Sequence, residues 1–72
     1  MKLGFYKTDE WIIEVVSSTH NYIKLYHYEN GKRSDTPHNI PPDLFETFYD
    51  NWVYFPEKDL KKEIIKLSLK ND

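Results

Sequence analysis

The chain has 72 residues, no cysteine, and 12 acidic against 10 basic residues, for a formal charge of −2. That length is read as one domain spanning 1–72, which by size buries only about 60% of the surface its unfolded form exposes. The lack of cysteine excludes a disulfide framework and a thiolate zinc site, and the balanced charge excludes long-range attraction to nucleic acid or to an anionic membrane as an organising feature. Aromatic density compensates for the small core: 17% of the residues are Phe, Trp or Tyr, and each such ring buries roughly 150–250 Å².

Residues 2–7 alternate, with Leu3 and Phe5 on one face, and predict a first strand. After the polar break at Thr8, Asp9 and Glu10, residues 11–16 are β-branched and aromatic and give the strongest strand signal in the chain. Trp11, Ile13 and Val15 share one face of it and Ile12, Glu14 and Val16 the other. Both faces are mostly apolar, as in a central strand with cover on part of each side. Residues 17–21 form a loop, because Ser, Thr and Asn satisfy their backbone locally. The third strand, 22–28, turns Ile23, Leu25 and His27 to one side and Tyr22, Lys24, Tyr26 and Tyr28 to the other. Asn30-Gly31 then predicts a type I′ hairpin turn, which needs positive φ at both positions. Its register sets Glu29 opposite Lys32, Tyr28 opposite Arg33, His27 opposite Ser34, Tyr26 opposite Asp35 and Leu25 opposite Thr36. The resulting fourth strand is polar and lies next to Pro37, which marks a short edge strand.

Residues 37–42 contain Pro37, Pro41 and Pro42. They can be neither helix nor inner strand, and read as a crossover. Pro42 suits the first position of a helix over 42–52, with Asp43 and Glu46 in the first turn where carboxylates complement the dipole. Residues 44–55 hold six of the twelve aromatic side chains. Within them Leu44, Phe45, Phe48, Tyr49 and Trp52 recur at three- and four-residue steps and predict one aromatic core stripe. Pro56 makes 53–55 a tight corner and opens a second helix, on which Leu60, Ile64 and Leu67 form a narrow apolar stripe. Lys70, Asn71 and Asp72 are expected to fray. The whole predicts an α+β fold: an antiparallel β-meander of three to four strands followed by two C-terminal helices packed on one face.

No catalytic or binding motif emerges. His20, His27 and His38 are the metal candidates, but their spacing matches no zinc pattern, and Asp35 and His38 straddle a proline in a non-helical segment. His27 reads instead as the end of the core face of strand three, its ring nitrogens satisfied by backbone or by Ser34. No metal and no other cofactor is expected. There is no nucleophile with a base and no phosphate-cradling glycine loop, so the chain reads as a non-enzyme. Lys58, Lys62, Lys66 and Lys70 form one ridge, with Asp59 and Glu63 within reach, and read as solvated helix surface.

The functional expectation comes from surplus aromatic surface. With both helices on the Trp11/Ile13/Val15 face, Ile12, Val16, Tyr22, Tyr26 and Tyr28 are left as an exposed patch, the kind that marks association. The candidate partner-binding residues are therefore Tyr22, Lys24, Tyr26, Tyr28, Arg33 and Ile12. They predict a protein-interaction module, a small regulator or inhibitor that docks on a larger protein or pairs with itself. The alternative is a small nucleic-acid-binding domain that stacks bases on the same tyrosines beside Lys24, Lys32 and Arg33, or uses the lysine ridge. A signal-peptide apolar run and a membrane span are both missing from the sequence, which predicts a cytoplasmic protein with no membrane partner. The bias toward Lys, Asn, Ile, Tyr and Phe is that of AT-rich codons and fits a bacterial, phage or prophage setting.

Overall fold

The structure is a computed structural model that describes residues 2–70, Lys70 by its backbone alone. Asn71 and Asp72, expected to fray, lie outside the described residues. The first three strands, β1 (Gly4–Lys7), β2 (Ile12–Ser18) and β3 (Ile23–Glu29), pair antiparallel in sequence order. Each connection is closed by a threonine. The Thr8 hydroxyl accepts from the backbone N–H groups of Glu10 and Trp11 at 3.2 and 3.1 Å, and the Thr8 N–H donates to the Trp11 carbonyl at 2.9 Å. Thr19 repeats the arrangement with Asn21 and Tyr22. In both turns a short side chain supplies the acceptor that the reversing backbone lacks.

The Asn-Gly hairpin forms as expected. Asn30 has φ 53° and Gly31 φ 79°, and Tyr28 faces Arg33 and Glu29 faces Lys32 across to β4 (Lys32–Arg33). The Ser34 N–H still bonds the His27 carbonyl at 2.8 Å. Beyond it the expected pairing of Asp35 and Thr36 does not form. The chain leaves the edge there and returns as β5 (His38–Ile40), which puts His38 opposite Leu25, Asn39 opposite Lys24 and Ile40 opposite Ile23. Residues 38–40 are thus an edge strand rather than part of a crossover. Pro37 and Pro41 bound it, which an outer strand tolerates because only one side of its backbone is in the ladder.

Helix α1 (Pro42–Tyr49) starts on Pro41 and Pro42, and the Phe45 N–H reaches the Pro41 carbonyl at 3.0 Å. It ends earlier than the expected residue 52, in a turn closed by the Trp52 N–H on the Tyr49 carbonyl at 3.1 Å. Residues 53–55, expected as a corner, are strand β6 (Val53–Phe55), paired antiparallel with β1 through Phe5/Phe55, Tyr6/Tyr54 and Lys7/Val53. The extended geometry imposed before Pro56 is the same in both readings; the free edge of β1 is what turns it into a strand. A short 3-10 turn, Glu57–Asp59, then leads into α2 (Leu60–Lys70). The sheet order is β4-β3-β2-β1-β6, with β5 beside β4 on the outer edge of β3. The α+β class with an antiparallel sheet and two helices is as predicted.

The placement of the helices is not. They lie on opposite faces, not on one. One core cluster holds Tyr6, Ile13, Val15, Ile23, Leu25 and Phe45, with Ile40, Tyr49 and Trp52 packed against it, so α1 covers that face. The other holds Phe5, Ile12 and Phe55, with Tyr28 and the α2 residues Leu60, Ile64 and Leu67 against it. Neighbouring strand residues point to opposite sides. The split of Phe5 from Tyr6 and of Ile12 from Ile13 therefore separates the two layers. Topology is the cause: α1 carries the chain from β5 at one edge to β6 at the other, and α2 returns beneath. Gly4 belongs to the first layer, with φ 134° and its missing Cβ only 2.9 Å from the Tyr54 ring, so no side chain fits there.

The aromatic stripe is narrower than expected. Phe45 is 3% exposed, and Tyr49 and Trp52 pack behind it, but Phe48 is 67% and Leu44 45% exposed. Phe45, Tyr49 and Trp52 form the row that meets the sheet, and Leu44 and Phe48, also one turn apart, form a second row beside it that does not. Trp11 and Leu3, assigned to strand faces from the sequence, precede β2 and β1 and stay exposed. The two phenylalanines of α1 should thus separate in urea denaturation. Phe45→Ala is expected to cost about 3–5 kcal/mol, enough to leave much of a domain this small unfolded, while Phe48→Ala shifts stability by no more than about 0.5 kcal/mol.

Candidate interaction surface

The second core cluster decides what remains of the tyrosine face. β-alternation places Lys24, Tyr26 and Tyr28 on the α2 side of the sheet, with Ile12, Glu14 and, across the hairpin, Arg33. α2 covers one end of it. Ile12 is 1% exposed beneath that helix and is no part of the surface, contrary to the patch expected from the sequence. Tyr28 sits edge-on to Phe5, with ring centroids 6.1 Å apart, and belongs to the core margin. Burial raises its hydroxyl above the usual tyrosine value, and the Glu14 carboxylate raises it further against the opposing charge of Arg33.

The other end is open but internally matched. The Arg33 guanidinium lies 4.5 Å from the centre of the Tyr26 ring, and its Nη1 donates to the Glu14 carboxylate at 3.2 Å. Stacking and ion pairing thus engage the same guanidinium, and Glu14 offsets its charge. Tyr22 lies just ahead of β3 and is 39% exposed, and Lys24 is half-buried. The structure therefore groups Lys24, Tyr26 and Arg33 on this face, with Tyr22 leading into it and Tyr28 half-buried at the margin of α2, and withdraws Ile12.

A link with no local signal ties α2 to the sheet. Lys7 Nζ donates to Glu63 Oε1 at 2.6 Å, across 56 residues of sequence. Glu63, expected on a solvated helix face, is 8% exposed, and Lys66 completes its surroundings at 3.5 Å. The Lys7 hydrogen bond holds the Glu63 carboxyl below its usual value, against burial and with the charges of Lys7 and Lys66 in support. Open grooves flank this helix, one lined by Lys7, Asp9, Glu10, Asn51, Glu63 and Lys66, the other by Trp11, Tyr28, Glu29, Asn30, Ile64 and Ser68. In the first, Lys7 and Glu63 are engaged with each other.

His27 and His38 meet edge-to-face on the α1 side, with ring centroids 4.9 Å apart. The Ser34 hydroxyl, expected to serve His27, donates instead to the Thr36 carbonyl. Burial pushes the His27 imidazole below its usual 6.5, His38 adds to the shift, and Glu29 opposes it. Among the described residues no group of three or more potential metal ligands comes together, and no helix is long and apolar enough to cross a membrane.

The outward helix surfaces are where the sequence reading missed most. Leu44 and Phe48 on α1 have counterparts on α2 in Ile65 and Leu69, which are 57% and 70% exposed and again one turn apart. Asp43, Glu46 and Asp50 are exposed at three- and four-residue steps, a row of their own on another side of α1 from Leu44 and Phe48, and Lys61, Lys62 and Lys66 are exposed on α2. The side chain of Lys70, the last member of the expected lysine ridge, lies outside the described residues. The signal was present as a four-residue repeat of large apolar side chains outside the buried stripe of each helix.

Two pH windows follow from the shifted groups. Below pH 6.5 the unfolded chain takes up a proton at His27 that the folded chain resists, so stability falls as pH drops through that value to the depressed folded pKa. His27→Gln should flatten this part of a plot of urea midpoint against pH. Glu63 acts lower: its contribution is complete above about 4.5 and is lost as pH falls through its depressed folded value. Lys7→Met leaves that carboxylate short of its main partner and should cost about 1–3 kcal/mol at neutral pH, a difference that shrinks as pH falls through the depressed folded value.

No protein-family model matches this chain, nor does any curated protein or solved structure, so the functional reading rests on the surface chemistry just described.

Proposed function

We propose that the chain is a non-enzymatic protein-interaction module, a small cytoplasmic regulator of the sort that phages and prophages encode. One observation carries the reading: both helices devote a single stripe to the sheet and hold a second pair of large apolar side chains, Leu44/Phe48 and Ile65/Leu69, outward in water. Surface of that kind favours association because contact removes it from solvent. The tyrosine end of the sheet, with Tyr22, Lys24, Tyr26 and Arg33, adds a second contact zone in which a rigid ring gives area at small entropic cost. The non-enzymatic part is supported by the polar clusters, since Lys7 with Glu63 and Arg33 with Glu14 each bind one element to another. The nucleic-acid reading has less support, because the guanidinium that would neutralise a phosphate is already matched by Glu14 and lies over the Tyr26 ring that would stack a base.

The test uses photocrosslinking. With a benzophenone amino acid in place of Phe48, or in separate preparations Tyr26 or the exposed control Glu57, irradiation in a bacterial extract is expected to give discrete protein adducts from positions 48 or 26 and none from 57. Adducts no more frequent at 48 and 26 than at 57 would end the proposal, and adducts only with nucleic acid would move the reading to the alternative.

A further inference from the structure

The edge strand that no local pattern foretold brings two histidines together. β5 pairs with β3 so that His38 stands opposite Leu25. Alternation along β3 puts His27 two residues further on and on the same face, the α1 side. His27 and His38 are thus diagonal neighbours across paired strands, a separation that ring side chains can span. Their ring centroids lie 4.9 Å apart, with the planes at 83°. His27 is half-buried and His38 exposed. Neither ring makes a side-chain hydrogen bond among the described residues, and no ring nitrogen of His27 is sealed from solvent. The Ser34 hydroxyl is committed to the Thr36 carbonyl. The two imidazoles therefore touch each other while their nitrogens stay open.

We propose that His27 and His38 together form a site for one divalent late-transition-metal ion, of the class of zinc, nickel and copper, with water in the remaining positions. The ring spacing carries the assignment. A metal sits about 2.0–2.1 Å from an imidazole nitrogen, hence about 3.2 Å from the ring centre, and two imidazoles at about 90–109° around it have centres about 4.5–5.2 Å apart. The observed 4.9 Å falls inside that interval. Convergence of one nitrogen from each ring then needs rotation about χ2, a torsion with broad wells, and His38 lies at the surface where little packing opposes it. Two imidazoles select late transition metals over magnesium and calcium, which take oxygen ligands. With two ligands from the chain the site is open, unlike a closed structural centre. Glu29 is the next residue on this face of β3, close enough for its charge to act on His27, and Lys32 stands opposite Glu29, so the two charges offset each other at the hairpin end. The ion clips a three-residue strand onto the sheet. The site lies on the other face from Tyr26 and Arg33 and does not depend on the interaction reading.

The test is thermal unfolding of the untagged, chelator-stripped chain at mildly alkaline pH, with copper(II), nickel(II) or zinc(II) added singly and magnesium as the control. The folded chain holds the two rings together and the unfolded chain does not. Each late transition metal should therefore raise the midpoint, by roughly 5–10 °C at about ten times its Kd. Copper should act at the lowest concentration, magnesium should have no effect, and EDTA should reverse the rise. His38→Gln alters an exposed side chain, keeps the fold and should abolish the response; His27→Gln should abolish it too. His20→Gln, in the turn between β2 and β3, should leave it intact. In NMR spectra of the wild type, zinc should shift the imidazole resonances of His27 and His38 and leave those of His20 in place. No rise with any of the three metals overturns the proposal, as does a rise that persists in His38→Gln or disappears in His20→Gln.

Discussion

The pairing of β6 with β1 is the constraint on which the rest of the molecule depends. Three residue pairs, Phe5/Phe55, Tyr6/Tyr54 and Lys7/Val53, fix where the chain emerges from α1 and on which side it continues. A chain turning tightly at 53–55 would lay the second helix beside the first. As a strand, 53–55 carries the chain past the sheet edge, and α2 returns across the other face. The large apolar side chains at the centre of β1 and β2 then have cover on their own side: Tyr6 and Ile13 beneath α1, Phe5 and Ile12 beneath α2. For a chain of 72 residues this three-layer arrangement uses both faces of the central strands, which is how so short a sequence gathers enough buried apolar area to fold. The Lys7–Glu63 pair secures the second layer from the side, and its position on β1 ties it to the same strand that β6 joins.

The features legible in the sequence are those whose cause is local. The β-branched run of β2, the alternation of β3, the Asn-Gly turn, the proline start of α1 and the Leu60/Ile64/Leu67 stripe each depend on a few neighbouring residues, and each stands where expected. The two apolar faces of residues 12–16 already implied cover on both sides, and the structure supplies it; assigning both helices to one face set that implication aside. What was not legible depends on residues far apart. β5 and β6 are three residues long and flanked by proline, too short for any periodicity, and they exist only because β3 and β1 offer free edges. The separation of Phe48 from Phe45 turns on the rotation of α1 against the sheet, which steps of three and four residues do not determine. Glu63 looked like any acidic residue among lysines, and its partner lies on the first strand.

The tyrosines show how one residue type on one strand takes on different work. From the sequence Tyr22, Tyr26 and Tyr28 share a face and look equivalent. In the structure Tyr28 fills the edge of a core beside Phe5, Tyr26 supports a guanidinium, and Tyr22 precedes the strand with its ring partly in water. The difference comes from how far α2 reaches. Leu60, Ile64 and Leu67 extend over Phe5, Ile12 and Phe55 to the margin at Tyr28, and the contact ends there. Of the six residues that the sequence points to as a partner surface, Ile12 is absorbed into the fold and Tyr28 sits half-buried at its margin, because of a helix whose side of the sheet no local pattern specified.

The near-neutral total charge conceals an uneven distribution of charge. Summing 12 acidic and 10 basic residues gives −2, from which a lack of strong electrostatic steering follows. The sum does not show that the charges are segregated along the chain. Five carboxylates and no Lys or Arg lie between Arg33 and Lys58, whereas five lysines lie in 58–70. The crossing of β6 turns this one-dimensional separation into a spatial one, since it comes between the two segments and sends them to opposite sides of the sheet. A molecule with little net charge thereby acquires an acidic surface and a basic surface facing away from each other. This separation of charge arises from the same strand pairing that lets the core form.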